Sequence, residues 1–156
     1  MPKKSVPAQS TPPSWQTLAD FTLPSQPGSD RQARERVAMA VEPLKLPPAY
    51  LDQLKTAVTE ATLNAIEHGN RNRSDLPVTI RVLVSDKALA VQITDQGNEP
   101  IPARSEPVLA NKVAGQEPSR GWGLFLIERM VDDVQITADE AHHTVELFLY
   151  LEGSSP

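Results

Sequence analysis

The sequence predicts an α+β fold: a two-layer sandwich in which helices cover one face of a mixed, mostly antiparallel sheet. Three observations predict it. Alternating apolar segments come in adjacent pairs, at 78–84 with 89–95 and at 134–138 with 144–151, as local hairpins do. Between residues 48 and 68, Leu51, Leu54, Val58, Ala61 and Ala65 recur at helical spacing, and Ala57 and Ile66 widen the apolar arc to about half the circumference. An arc that wide suits a helix lying on a sheet. Third, the elements run strand, helix, helix, strand, strand, long loop, helix, strand, strand, and such an order stacks helices on one side of locally paired strands.

Each element follows from its residues. Nine of the 15 prolines fall in the first 48 residues, and residues 1–14 are rich in Pro, Ser, Gln and Thr, so they are expected to form a disordered tail outside a single domain at 15–152. Residues 15–23 alternate loosely as an edge strand, broken by Pro24, Pro27 and Gly28. Ser29 or Asp30 then caps a helix reaching Val41, with Ala33, Val37, Met39, Ala40 and Val41 at roughly helical positions. Pro43, Pro47 and Pro48 mark a connection. The helix over 48–68 tolerates Pro48 in its first turn and takes Gly69 as its C-cap. Thr62 falls inside its apolar arc and Leu63 outside. Val78, Ile80, Val82 and Val84 alternate on one strand, Leu89, Val91 and Ile93 on the next, with Ser85-Asp86-Lys87 as the turn. Residues 96–120, holding Pro100, Pro102, Pro107 and Pro118, read as a long loop, which inside a compact domain is usually functional. A short helix over 123–130 and two closing strands complete the domain.

Composition narrows the function classes. At 156 residues, 39% hydrophobic and 22% charged, the chain has the profile of a soluble globular domain. A net charge of -5 gives no electrostatic footprint for direct nucleic-acid binding. The absence of cysteine removes disulfides, thiolate metal sites and cysteine nucleophiles, and fits a cytoplasmic setting. The three histidines, His68, His142 and His143, are too few for a multi-histidine metal centre. Lys3 and Lys4 are not followed by an apolar run, so neither a signal peptide nor a membrane span is expected.

Three constellations can carry chemistry. In Glu60-Ala-Thr-Leu-Asn64-Ala-Ile-Glu67-His68-Gly69, Glu60, Asn64 and Glu67 fall within about 60° of one another on the helix. This is either the solvated face of an amphipathic helix or a carboxylate and an amide one turn apart, which offer oxygen ligands to Mg²⁺ or a base beside a metal ligand. Asparagine is a middling helix former, so Asn64 in the interior weakens the first reading without displacing it. In Asp95-Gln96-Gly97, Asp95 continues the buried row of Leu89, Val91 and Ile93. A carboxylate there needs a partner. It is either an ordinary Asp-x-Gly turn bonded to backbone N–H groups or an anchor for an adenine amino group. In Arg120-Gly121-Trp122-Gly123-Leu124, opening an apolar helix, glycines permit close approach to a phosphate and Arg120 offers a charged fork; the plain alternative is a flexible loop-to-helix junction. Four of the seven glycines sit at these three sites, and the order (acidic helix face, Asp-x-Gly after a strand, long loop, Gly-x-Gly at a helix) answers the needs of a nucleotide in turn.

This ordered set resembles the Bergerat ATP-binding fold of gyrase and the histidine kinases. Glu60 and Asn64 match its N-box, Asp95 and Gly97 its first glycine box, Gly121 and Gly123 its second. Within that superfamily residues 16–151 are similar to the anti-sigma-factor serine kinases, through the phrase from Glu60 to Gly69 and through Arg120-Gly-Trp-Gly-Leu-Phe-Leu-Ile127 with Val131-Asp-Asp-Val134. The resemblance implies ATP and Mg²⁺ as ligands, Asn64 as the metal ligand, and Glu60 as the base that activates a serine or threonine hydroxyl. It further implies Asp95 on the adenine amino group, Gly97 shaping the pocket, and Gly121, Gly123 and the adjoining Leu124 closing over the phosphates. Arg120 becomes the candidate γ-phosphate contact and His68 a support of the pocket wall. The implied partners are an anti-sigma-factor antagonist as substrate, a sigma factor held in competition, and a second copy of the chain in a homodimer. Asn98-Glu99-Pro100 departs from the family pattern, where another glycine is frequent, so a nucleotide-gated or nucleotide-free protein switch without kinase activity stands as the alternative. A histidine-kinase catalytic domain acting in trans stands behind it, since no histidine precedes His68.

Overall fold

The structure, a computed structural model, describes residues 14–97 and 119–151, and within them the side chains from residue 124 onward in the third helix. Residues 1–13 of the tail expected at 1–14, and most of the expected loop, lie outside the described residues. Five strands form one sheet in the order β1-β2-β3-β5-β4, with β1 at Gln16–Pro24, β2 at Pro77–Val84, β3 at Ala88–Asp95, β4 at Asp133–Ala138 and β5 at His143–Tyr150. Every described pairing is antiparallel. Helices α1 (Ser29–Val41), α2 (Pro48–Asn64) and α3 (Ser119–Met130) form the second layer, with α2 packed between the other two.

The alternation along each strand becomes continuous rows across the sheet. One row runs Ala19, Val82, Val91, Leu147, Val134, and the next Phe21, Ile80, Ile93, Val145, Ile136. These rows meet the buried stripes of the helices: Ala33, Val37 and Val41 of α1, Leu54, Ala57, Val58 and Ala61 of α2, and Leu124 and Ile127 of α3. Thr62 is buried inside the α2 arc, and Leu63, expected outside it, is half-buried. The opposite face carries polar rows. One reads Asp20, Arg81, Gln92, Glu146, Gln135, and another is threonine on every strand: Thr22, Thr79, Thr94, Thr144, Thr137. The Gln92 amide donates to Glu146 at 2.8 Å and the Thr94 and Thr144 hydroxyls lie 2.9 Å apart. One apolar face and one polar face are what a one-sided antiparallel sheet requires. On the apolar side the Arg36 guanidinium covers the Phe21 ring at 3.9 Å, tying α1 to the edge strand.

Four local expectations are corrected. Neither Ser29 nor Asp30 caps α1: Ser29 is its first residue, and Gly28, at φ 95°, is the capping position. A φ as large as 95° straight after Pro27 strains any residue with a Cβ, so backbone conformation decides here in place of a side-chain oxygen. Second, the helix does not stay α-helical to His68. It changes at Ala65–Gly69 into a π-helical turn in which the Asn70 N–H reaches the Ala65 carbonyl at 2.8 Å. Third, Gly69 is not the cap. Asn70 is, and the left-handed residues that end the helix are Arg71 and Asn72, at φ 55° and 60°. Fourth, α3 begins at Ser119 instead of Gly123, so Gly121 and Gly123 both lie inside its first two turns. The first N–H groups of a helix have no intrahelical partner, so glycine there forfeits less than in a helix interior.

Candidate functional site

The expected residues fall into three groups, and the first is built where α2 ends against the rim of the sheet. Asp95 is the last residue of β3, on the core-facing side one step beyond Ile93, and is 7% exposed. Its Oδ1 accepts the Gly97 N–H at 2.7 Å, and His143 Nδ1, from the paired position on β5, lies 3.2 Å from the same oxygen. Burial pushes the Asp95 carboxyl above its ordinary range, while the Gly97 N–H and His143 work in the opposite direction.

The backbone of Gly69 presses on this carboxyl, and a Cβ built there would overlap it. A Cβ on Gly97 would lie 2.5 Å from the Gly69 carbonyl oxygen. The requirement at Gly69 is therefore close approach, not a left-handed backbone. The π-helical turn carries that approach, because the wider turn sets Gly69 against Asp95 before the chain reverses at Arg71. Asp95, Gly69 and Gly97 thus form one cradle, with His68 half-buried in the same turn.

Sequence reasoning missed the residue that holds this cradle together. Asn70 is fully buried. Its Nδ2 donates to Ser25 Oγ at 2.8 Å and to the carbonyls of Leu76 and Pro77 at 3.1 Å each, and its Oδ1 accepts the Gln96 N–H at 2.7 Å. One side chain therefore ties the end of α2, the start of β2, the β1–α1 connection and the Asp95-Gln96-Gly97 turn. Its only sequence signal is position: an asparagine directly after a helix-ending glycine suggests a turn, not a hub.

The second group lies along α2. Glu60 and Asn64 are half-buried one turn apart, and Glu67 is exposed. Burial raises the Glu60 carboxyl above its ordinary range, and Glu67 and Asp30 raise it further by repulsion. Glu60 also borders a groove of about 450 Å³ between α1 and α2, lined by Arg34, Glu35, Asp52, Lys55, Thr56 and Thr59. Among the described residues no group of three or more His, Asp or Glu could hold a metal by itself.

The third expected group is placed by backbone alone. Arg120, Gly121 and Gly123 are in the first turns of α3, with side chains outside the described residues, and Leu124 is a core residue, 5% exposed. Asn98-Glu99-Pro100 also lies outside the described residues.

Comparison with known proteins bears on this arrangement. Residues 23–149 match the family of the histidine kinase-like ATPase domain. The chain is 31% identical over 120 residues to an anti-sigma F factor of Clostridium botulinum, covering 74% of this chain and 82% of that one. It is 32% identical over 95 residues to the serine-protein kinase RsbW of Listeria monocytogenes, covering 58% of this chain and 60% of that one. Among solved structures, the RsbU and RsbW domains of Rv1364c from Mycobacterium tuberculosis superpose with a TM-score of 0.62 at 18% identity, over 92% of this chain and 34% of that one. The SiaB-SiaC complex from Pseudomonas aeruginosa gives a TM-score of 0.59 at 15% identity, over 85% of this chain and 89% of the other. The last two likenesses concern the fold alone.

Proposed function

The chain belongs to the histidine-kinase-like ATPase domain family, and on that premise we propose that it is an ATP-dependent serine/threonine-protein kinase of a cytoplasmic partner switch. In this reading it phosphorylates an anti-sigma-factor antagonist and, as a homodimer, sequesters a sigma factor. The observation that carries the reading is the cradle of Asp95, Gly69 and Gly97: a buried carboxylate at the rim of the sheet with glycine backbone against it. The names of the anti-sigma F factor and RsbW relatives supply the class of partner.

The chain's own residues divide the work. Asp95 accepts a hydrogen bond from the adenine amino group, with Gly69 and Gly97 giving its carboxyl room. Asn64 holds the ion. Bound ATP with Mg²⁺ supplies the phosphoryl group and neutralises charge as it moves. Glu60 takes the proton from the attacking hydroxyl. A carboxylate raised by burial and by neighbouring carboxylates is a stronger base than an exposed glutamate, which suits that role. The groove between α1 and α2 gives a partner segment access to Glu60. Gly121 and Gly123, and Arg120 on the γ-phosphate, are assigned to closure over the phosphates.

The test is calorimetric titration with ATP and Mg²⁺ on the wild type and on Asp95→Asn, followed by phosphoryl transfer to an antagonist protein with Glu60→Ala as control. ATP binding lost in Asp95→Asn, with transfer lost in Glu60→Ala, supports the kinase. Binding without transfer favours the nucleotide-gated switch, and transfer to a histidine in place of a serine or threonine favours the histidine-kinase reading.

A further inference from the structure

His143 is a buried ionisable side chain to which phosphoryl transfer gives no task. It is 6% exposed and stands opposite Asp95 in the β3–β5 register, one position from the hydroxyl-to-hydroxyl contact of Thr94 with Thr144. Its Nδ1 lies 3.2 Å from Asp95 Oδ1, the oxygen that also accepts the Gly97 N–H at 2.7 Å. Both contacts fall on the same oxygen. The His143 backbone N–H also bonds the carboxyl, and Oδ2 sits against the Gly69 backbone.

We propose that His143 is a specificity-determining residue of the nucleotide site: its Nδ1–H fixes Oδ1 and turns Oδ2 inward as a pure acceptor, selecting a 6-aminopurine over a 6-oxopurine nucleotide. The inference rests on the ATP-binding reading above. An ionised carboxylate only accepts, so it pairs with an exocyclic amino group; a protonated carboxyl can donate and would tolerate a carbonyl in that place. Burial drives Asp95 toward the protonated form, whereas the His143 hydrogen bond and charge drive it back. Removing His143 therefore weakens the orientation of the carboxylate and its acceptor character together, and the preference for an amino group falls. A site built around a hydrogen bond rejects the analogue lacking it because its own polar group is left unpaired.

The experiment titrates the full-length protein, with Mg²⁺, against ATP and inosine triphosphate, comparing wild type, His143→Val and His143→Asn. The asparagine keeps an N–H donor near the Nδ1 position and the valine removes it. The wild type is expected to prefer ATP, and His143→Val to lower the ATP-over-inosine-triphosphate ratio about 10-fold, the scale of one hydrogen bond to a charged group. His143→Asn should keep the ratio within about 2-fold of wild type. A role in packing alone would weaken both nucleotides equally, so an unchanged ratio in a folded His143→Val overturns the assignment, as does a wild type that binds the two alike. If the wild type binds neither nucleotide, the ATP-binding reading itself falls and the assignment with it. Should the variants not fold, imidazole ¹⁵N shifts of the wild type decide: a proton on Nδ1 is expected, and a bare Nδ1 overturns the assignment.

Discussion

Asp95 and Glu60 are both carboxylates drawn out of bulk water, and both are raised above their ordinary range with burial as the leading cause. Their surroundings are opposite. Asp95 is gripped by a backbone N–H, a histidine and the backbone of Gly69, on a turn that Asn70 ties to three other segments. Glu60 is half-buried on a regular helix beside a groove, and the charges that act on it, Glu67 and Asp30, share its sign. A group held by donors on one oxygen is fixed as an acceptor for something that must sit still. A group surrounded by its own charge, with an open side, is prepared to take a proton. The contrast matches the proposed division of labour, with binding at the rim of the sheet and proton transfer on the face of α2.

The largest expected effect separates the two outright. Glu60→Gln keeps shape and removes the base, so phosphoryl transfer to the antagonist should fall by about 10²- to 10⁴-fold, while the ATP Kd moves by no more than about 2-fold. Single-turnover phosphorylation alongside calorimetry checks this, and a matching loss of ATP affinity would break the division of labour.

Asn70→Ala is next. It leaves the Gln96 N–H and the Pro77 carbonyl without the partner they share in the interior, whereas the Leu76 carbonyl keeps its bond from Ser25 at 2.7 Å. We predict a loss of about 2–3 kcal/mol in denaturant unfolding. ATP affinity should fall as well, because the Asp95 turn loses its tether. Loss of stability with unchanged ATP affinity in the folded fraction would show that Asn70 supports the fold without shaping the cradle.

Gly69→Ala tests the close approach itself. Its Cβ would overlap a buried, bonded carboxyl, so something must shift, at about 1–3 kcal/mol as in other overpacked interiors. Because Gly69 is not at a positive φ, no backbone strain adds to this. ATP binding should suffer and the Glu60 side should not. An alanine variant that binds ATP like wild type would mean the cradle is looser than its geometry indicates.

What was legible in the sequence follows the same division. The alternation of Val78, Ile80 and Val82 and the helical spacing of Leu54, Val58 and Ala61 report burial, a property of each residue's own position. Patterns of that kind along the chain gave the α+β class and the placement of every described strand to within a residue or two. The early start of α3 was misread because glycine breaks helices in general and is cheapest where N–H groups are already unpaired, as at Gly121. Gly69 was assigned the correct importance for the wrong reason, since a cap and a close contact both exclude a Cβ. Asn70 and His143 were not legible at all. Their roles depend on partners 26 and 48 positions away in the chain, Gln96 and Asp95, that only the closed sheet brings near.

The smallest effect concerns stability against pH, and its sign follows from the direction of the Glu60 shift. A carboxyl raised in the folded state binds its proton more tightly there than in the unfolded chain, where its ordinary value is 4.5. Glu60 therefore favours the fold most below that pH, and its contribution is lost as pH rises through the raised value. Glu60→Gln removes the charge that the fold disfavours. It should stabilise the protein at neutral pH, by less than about 1 kcal/mol because water still screens a half-exposed group. It should also flatten the decline in stability above pH 4.5. Urea unfolding of both proteins across that range measures the difference. A variant less stable than wild type at neutral pH would mean that Glu60 has a favourable partner in the folded protein, and the contrast with Asp95 would then lose one of its two sides.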